Sequence, residues 1–241
     1  MWSVCKKEIR QLFSSLTGYM AIAVFLLLSG LMLFVFPETN VFEFGYASLS
    51  QFFDLAPWIL LLLVPAITMR SFSEEFKSGT FEILQTKPIR NGQMVAGKYL
   101  GSLLVVWVAL IPTLLYMISM NQLSGPDGGL DMGATVGSYL GLLLLAAVFT
   151  SMGVLCSSFT QNPVVAFLLS AFACFLMYNG FTAVSKIPFF ESGADYYIEM
   201  LGIDFHYRNI SRGVVDTRDL IYFASVIFFF LYLTARNLIK K

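Results

Sequence analysis

The chain has 241 residues, 57% hydrophobic and only 12% charged, with mean hydropathy +0.75 and fifteen basic side chains balanced by fifteen acidic ones. Soluble domains carry about 25% charged residues, so the composition excludes an ordinary soluble enzyme and points to a membrane-embedded protein. Zero net charge excludes no partner, because charges of opposite sign sorted to the two faces of a membrane cancel in the sum.

At the N-terminus, WSVCKKEIRQLFSSL places Trp2, Cys5, Ile9, Leu12, Phe13 and Leu16 at helical steps and turns Lys6, Lys7 and Arg10 away from them. This predicts an amphipathic interfacial helix within 1–17, lying on the cytoplasmic membrane surface. The apolar run that follows, 18–36, exceeds the 7 to 15 residues of a signal-peptide core, and VFPETN offers no small-x-small cleavage site. It is expected to remain as a transmembrane anchor.

A hydrocarbon core of about 30 Å needs about 20 helical residues. Five further runs meet that length, at 49–69, 99–120, 136–159, 164–184 and 220–235. The expected fold class is an all-α polytopic membrane protein, a single transmembrane domain over 1–241 with six transmembrane helices. Asp54, Pro57 and Pro65 interrupt the second run. An ionised carboxylate at the bilayer centre costs roughly 2 to 3 kcal/mol, so Asp54 is expected at the outer rim.

With a cytoplasmic N-terminus, eleven of the fifteen basic residues fall inside and eleven of the fifteen acidic ones outside. The positive-inside rule therefore places both termini in the cytoplasm, and the expected location is a bacterial inner membrane.

The segment 70–98, RSFSEEFKSGTFEILQTKPIRNGQMVAGK, is the long polar interruption of the first two thirds of the chain. Phe76, Thr80, Ile83 and Leu84 fall on one helical face, with Glu75, Lys77 and Glu82 elsewhere around the turn. The spacing predicts a helix over 73–86, N-capped by Ser73 and with Glu74 and Glu75 at the positive end of its dipole. Pro88 ends it, Asn91-Gly92 supplies a turn, and Lys98 is read as an interfacial anchor reaching to headgroups. The apolar face is expected to be open to a moving partner; the plainer alternative is a helix that only shields headgroups.

GQMVAGKY, 92–99, comes close to the phosphate-binding pattern G-x-x-x-x-G-K-[ST], but Tyr99 stands where Mg²⁺ needs a hydroxyl of Ser or Thr, and a membrane span follows. No catalytic residue, cofactor or metal site is expected. Cys5, Cys156 and Cys174 form no paired framework. His206, the sole histidine, reads as a loop residue, and the eleven methionines read as apolar filler rather than copper ligands. The spans lack the buried carboxylates of an ion-coupled carrier, which leaves no energy source within the chain. Gly137 and Gly141, and Ala166, Ser170 and Cys174, read as close helix packing or a subunit interface. The segment 185–219 mixes charges with PFF, YYIEML and FHYR; short external helices, dipping back into the interface, are expected before the last span.

Glu75, Gly79, Thr80, Glu82, Leu84, Pro88, Gly97 and Lys98 follow the loop pattern of ABC-2 type transporter permeases, and the chain as a whole resembles that family. The resemblance implies a subunit without enzymatic activity whose 70–98 loop is a coupling helix for a separate cytoplasmic ABC ATPase. Glu75, Phe76, Gly79, Thr80, Glu82, Leu84 and Pro88 would carry that coupling. It further implies pairing with a second permease, contact with membrane lipid, an auxiliary periplasm-facing subunit, and no nucleic acid. Phe205, His206, Arg212, Gly213, Val215, Asp219 and Tyr222 resemble the permease of bacterial gliding motility, with copper-enzyme maturation permeases as near relatives. A membrane scaffold of a motility or secretion machine that transports nothing shares the same composition.

Overall fold

The computed structural model describes residues 1–36, 48–86, 90–123, 130–187 and 195–239, and among these every regular element is helical. Six helical stretches are long and apolar enough to cross a membrane: Leu16–Phe34, Ser50–Lys77, Asn91–Gln122, Met132–Ser157, Pro163–Ser185 and Thr217–Ile239. The expected number and order of spans therefore stand.

Helix α1 (Trp2–Ser14) is joined to α2 (Leu16–Phe34) through a single extended residue, Ser15. Its buried stripe is Val4, Cys5, Glu8 and Leu12, while Trp2 is 71% exposed. The expected apolar stripe is thus rotated, because α1 packs on another helix of the chain and that contact selects a face containing Glu8.

Helix α3 (Ser50–Thr68) keeps Pro57 and Pro65 in its interior, as membrane helices do when neighbours pack over the freed carbonyls. Asp54 lies exposed in the early turns of α3. Past a short turn comes α4 (Ser73–Lys77), then α5 (Thr80–Gln85). The single helix expected over 73–86 is broken because Gly79, between the two, adopts φ +68°, a conformation in which an L side chain is strained. Ser73 is not the cap; its hydroxyl donates back to the Met69 carbonyl.

Helix α6 (Asn91–Leu110) starts eight residues before the expected span at 99, so Lys98 lies inside it. A 3₁₀ turn, Ile111–Thr113, containing Pro112, leads to α7 (Leu114–Leu123). The central helix is α8 (Met132–Ser157), opened by the Asp131 carboxylate accepting from the Ala134 amide. Helix α9 (Pro163–Phe175), with Asn162 as its cap, continues through a π turn, Leu176–Gly180, into α10 (Phe181–Ser185). Two short helices, α11 (Asp195–Glu199) and α12 (Ile203–Ser211), precede α13 (Thr217–Ile239).

Glycines set the closest approaches. A Cβ at Gly137 would lie 3.0 Å from the Gly213 Cα and one at Gly141 3.1 Å from Ile210, so this pair seats α12 on α8. At Gly97 and Gly101 a Cβ would lie 2.8 Å from Val4 and 2.7 Å from Glu8, so the second pair seats α1 on α6. A Cβ at Gly153 would strike Thr68 of α3 and sit 3.2 Å from Ser170 of α9. Ala166, Ser170 and Cys174 accordingly form the buried side of α9, a packing role within the chain.

Tyr207 on α12 donates to the Phe53 carbonyl of α3 at 2.6 Å, with its ring buried. Tyr207→Phe is expected to lower stability by about 1 kcal/mol, read as an earlier thermal transition of the purified chain.

Candidate functional site

At the end of the bundle where α3 finishes and α6 begins, four charged side chains from three elements meet. Lys98 Nζ lies 3.2 Å from Glu8 Oε2 of α1 and 3.0 Å from Glu75 Oε1 of α4. It also donates to the Ser71 carbonyl and stands 5.0 Å from the centre of the Phe72 ring. Glu75 Oε1 accepts a second cation, Lys7 Nζ, at 2.8 Å. Two lysines and two glutamates balance. The Lys98, Glu8 and Glu75 side chains retain 2%, 5% and 5% of their exposure, whereas Lys7 keeps 47%. Isolated burial of such charges costs several kcal/mol each, so the positions of α1, α4 and α6 are tied to one another by the need to keep the set paired.

The sequence fits this arrangement locally. Glycines at 97 and 101 flank Lys98 on α6 and let α1 approach closely enough for Glu8 to reach it. Ser71 and Ser102 hydroxyls meet at 3.3 Å. Ser157, at the end of α8, receives the Phe72 and Ser73 amides at 2.9 and 3.1 Å and donates to Met69 at 3.1 Å. A serine 84 residues away thus satisfies amides that α4 cannot pair by itself. Gln11 Nε2 donates to Glu74 at 3.3 Å, adding a second tie from α1 to α4. Glu75 Oε2 is buried without a hydrogen-bond partner among the described residues, so the pairing of Glu75 rests on one oxygen.

The expected coupling residues separate into two groups. Glu75, Phe76 and Leu84 turn inward: Glu75 to the ion set, and Phe76 and Leu84 onto Phe72, Phe81, Met94, Val95, Val154 and Leu238. Phe76 and Phe81 meet edge to face at 4.8 Å. Of the apolar face expected to lie open, Phe76 and Leu84 are thus partly buried against the chain's own core, because α4 and α5 fold back on α6, α8 and α13, while Thr80 stays exposed. Gly79, Thr80 and Glu82 remain outward, with Lys77 and Ser78 beside them. Pro88, and the side chain of Ile83, lie outside the described residues. Lys98, expected to reach the headgroups, is 1% exposed; two carboxylates and a carbonyl hold it inside the helix bundle instead.

Sequence reading missed Lys7, Glu8, Gly101 and Ser157. A signal existed for one of them, since Gly97 and Gly101 are four apart like Gly137 and Gly141. Nothing local marks Glu8, which lies 90 residues from Lys98.

At the opposite end of α3 and α8, His206 proves helical and buried rather than a loop residue. Its Nδ1 lies 2.6 Å from Asp219 Oδ1 and its Nε2 2.9 Å from the Met200 carbonyl, and the ring stacks on Tyr222 at 3.8 Å. Arg208 pairs with Asp204 at 2.7 Å. The Arg208 pair lies within α12, and the His206 contacts with Asp219 and Tyr222 fasten α12 to α13, leaving Arg212 and Val215 exposed. No group of three or more His, Cys, Asp or Glu able to hold a metal occurs among the described residues, and the 92–99 phosphate-loop look-alike is helix interior.

Comparison with protein families matches residues 2–199 to the model described as ABC-2 family transporter protein. Comparison with curated proteins returns no match.

Proposed function

We propose that this chain, which belongs to the ABC-2 transporter family and is a permease component of an ABC transporter, is driven by a separate cytoplasmic ATPase that docks on Lys77 to Glu82. The permease is a membrane component and not itself catalytic, so the energy enters through a contact. The observation that carries this reading is the position of the exposed turn at Ser78 and Gly79: it caps α4, whose Glu75 is tied to Lys98 of α6 and Lys7 of α1. A push on the turn would move three elements together, since separating them strands buried charge.

Further features extend the reading. The excess of Lys and Arg on α1, the 70–98 segment and the C-terminal segment favours cytoplasmic termini, and the ABC-2 family in general implies an ATPase partner and dimerisation. The resemblance over Phe205, His206, Arg212, Gly213, Val215, Asp219 and Tyr222 supports a gliding-motility-type system, doing transport or mechanical work with an auxiliary periplasm-facing subunit.

Docking is tested by Thr80→Trp and Glu82→Lys. Both side chains point outward, so the fold and membrane insertion are expected to survive while copurification of the ATPase falls about tenfold, the loss of roughly 1.4 kcal/mol of contact. Unchanged copurification would remove the docking assignment. An ATPase variant that binds but cannot hydrolyse nucleotide separates coupling from scaffolding: full function with that variant would mean the chain only assembles a machine.

A further inference from the structure

We propose that the outward face of α1 is a binding site for the phosphate headgroup of an anionic phospholipid in the adjoining leaflet. Trp2, Lys6 and Arg10 stand four residues apart along one line of the helix, with Lys7 beside them, and all four line a shallow groove of about 690 Å³ on that face. Lys6 and Arg10 are exposed and make no ion pair among the described residues. The opposite face of α1 is already filled by α6, so these cations face away from the protein.

Three observations select lipid as the occupant. Ser15 is the single joint between α1 and a membrane span, which holds α1 at the level where that span leaves the bilayer. Just past that joint, at the start of the span, Leu16, Tyr19 and Met20 are 73%, 57% and 55% exposed, and apolar surface of that kind suits acyl chains. Trp2, at 71% exposure, has the amphipathic ring that favours the membrane interface. Positive charge next to apolar surface is the chemistry that an anionic headgroup with its chains complements.

The groove also touches the buried ion set. Lys7 lines it and at the same time donates to Glu75 at 2.8 Å. A headgroup phosphate on Lys6 and Arg10 therefore sits beside the one exposed member of the network that links α1 to α4.

The test is native mass spectrometry of the full chain in a neutral detergent, titrated with dioleoyl phosphatidylglycerol or dioleoyl phosphatidylcholine. The wild type is expected to prefer the anionic lipid at least about tenfold, and the K6Q/R10Q variant to bind it about 30-fold more weakly, at roughly 1 kcal/mol per basic residue. K186Q, which removes an exposed lysine at the far end, should change nothing. Since Lys6 and Arg10 lie outside the ion set, the K6Q/R10Q melting temperature should match the wild type, which separates lost binding from lost folding. Undiminished lipid preference in K6Q/R10Q would overturn the proposal. So would competition by free glycerol 3-phosphate as effective as that of the lipid, because the site would then take phosphate without a membrane. Intact lipid binding with lost ATPase copurification would equally overturn it, in favour of an acidic protein surface.

Discussion

Lys98→Met is expected to destabilise the protein by about 3 to 5 kcal/mol, the cost of leaving buried carboxylates without their cation. Glu8 and Glu75, at 4% exposure each, would then face one another across an apolar side chain. Glu75 would retain the half-exposed Lys7 at 2.8 Å, but Glu8 would keep no cation. The measurement is thermal or denaturant unfolding of the purified chain, followed by helical signal. A companion variant, E8Q/E75Q/K98M, removes the buried charge altogether and should recover most of the loss, since paired charges and neutral groups of similar shape are nearly equivalent in stability. A triple variant as unstable as the single one would show that Lys98 acts through packing rather than charge.

Gly101→Leu is expected to lift α1 off α6. The added Cβ would lie 2.7 Å from the Glu8 Cβ and 3.2 Å from the Cys5 carbonyl, and neither a helix backbone nor the first carbon of a side chain yields cheaply. Overpacking of this kind costs about 1 to 3 kcal/mol. The reporter is Cys5, which is 1% exposed in the wild type and whose thiol is pushed up from its ordinary value by burial and then by the neighbouring Glu8 carboxylate. Both effects keep it protonated and slow to react. Maleimide labelling at Cys5, mapped by peptide, should rise about 10- to 100-fold in Gly101→Leu, the factor that such a free-energy change implies. Gly137→Leu, which presses on α12 instead, should leave Cys5 protected.

The spans were legible because length and hydropathy are properties of a contiguous run; six runs in sequence became six helices. Their ends were less so. The third span was expected to begin after Lys98 because a lysine reads as a terminator, yet the charge is carried inward by Glu8 and Glu75, which belong to other parts of the chain. A residue 90 positions away cannot enter a local scan. The stripe on α1 was read as apolar, and Glu8 broke that rule for the same reason. Gly79 was assigned to a continuous helix, although Ser78-Gly79 is a dipeptide that ends helices readily; its positive φ makes the outward turn. Gly97 belongs to the phosphate-loop look-alike and to the family loop pattern, whereas its spacing to Gly101 is the signal for helix packing. The outward and inward halves of the coupling segment could not be separated by periodicity, because Phe76 and Leu84 have the same helical spacing whether they meet a partner or the chain's own core.

The central claim is that the buried ion set makes α1, α4 and α6 move as one body when an ATPase acts on the turn at Ser78 and Gly79. Spin labels at the exposed positions Ser3 and Lys77, on α1 and α4, test it in the assembled complex by measuring their separation with and without ATP. The account predicts the same separation in both states for the wild type, and a separation that changes with nucleotide once Lys98→Met removes the tie. A wild-type distance that shifts with ATP as much as it does in the variant would contradict it.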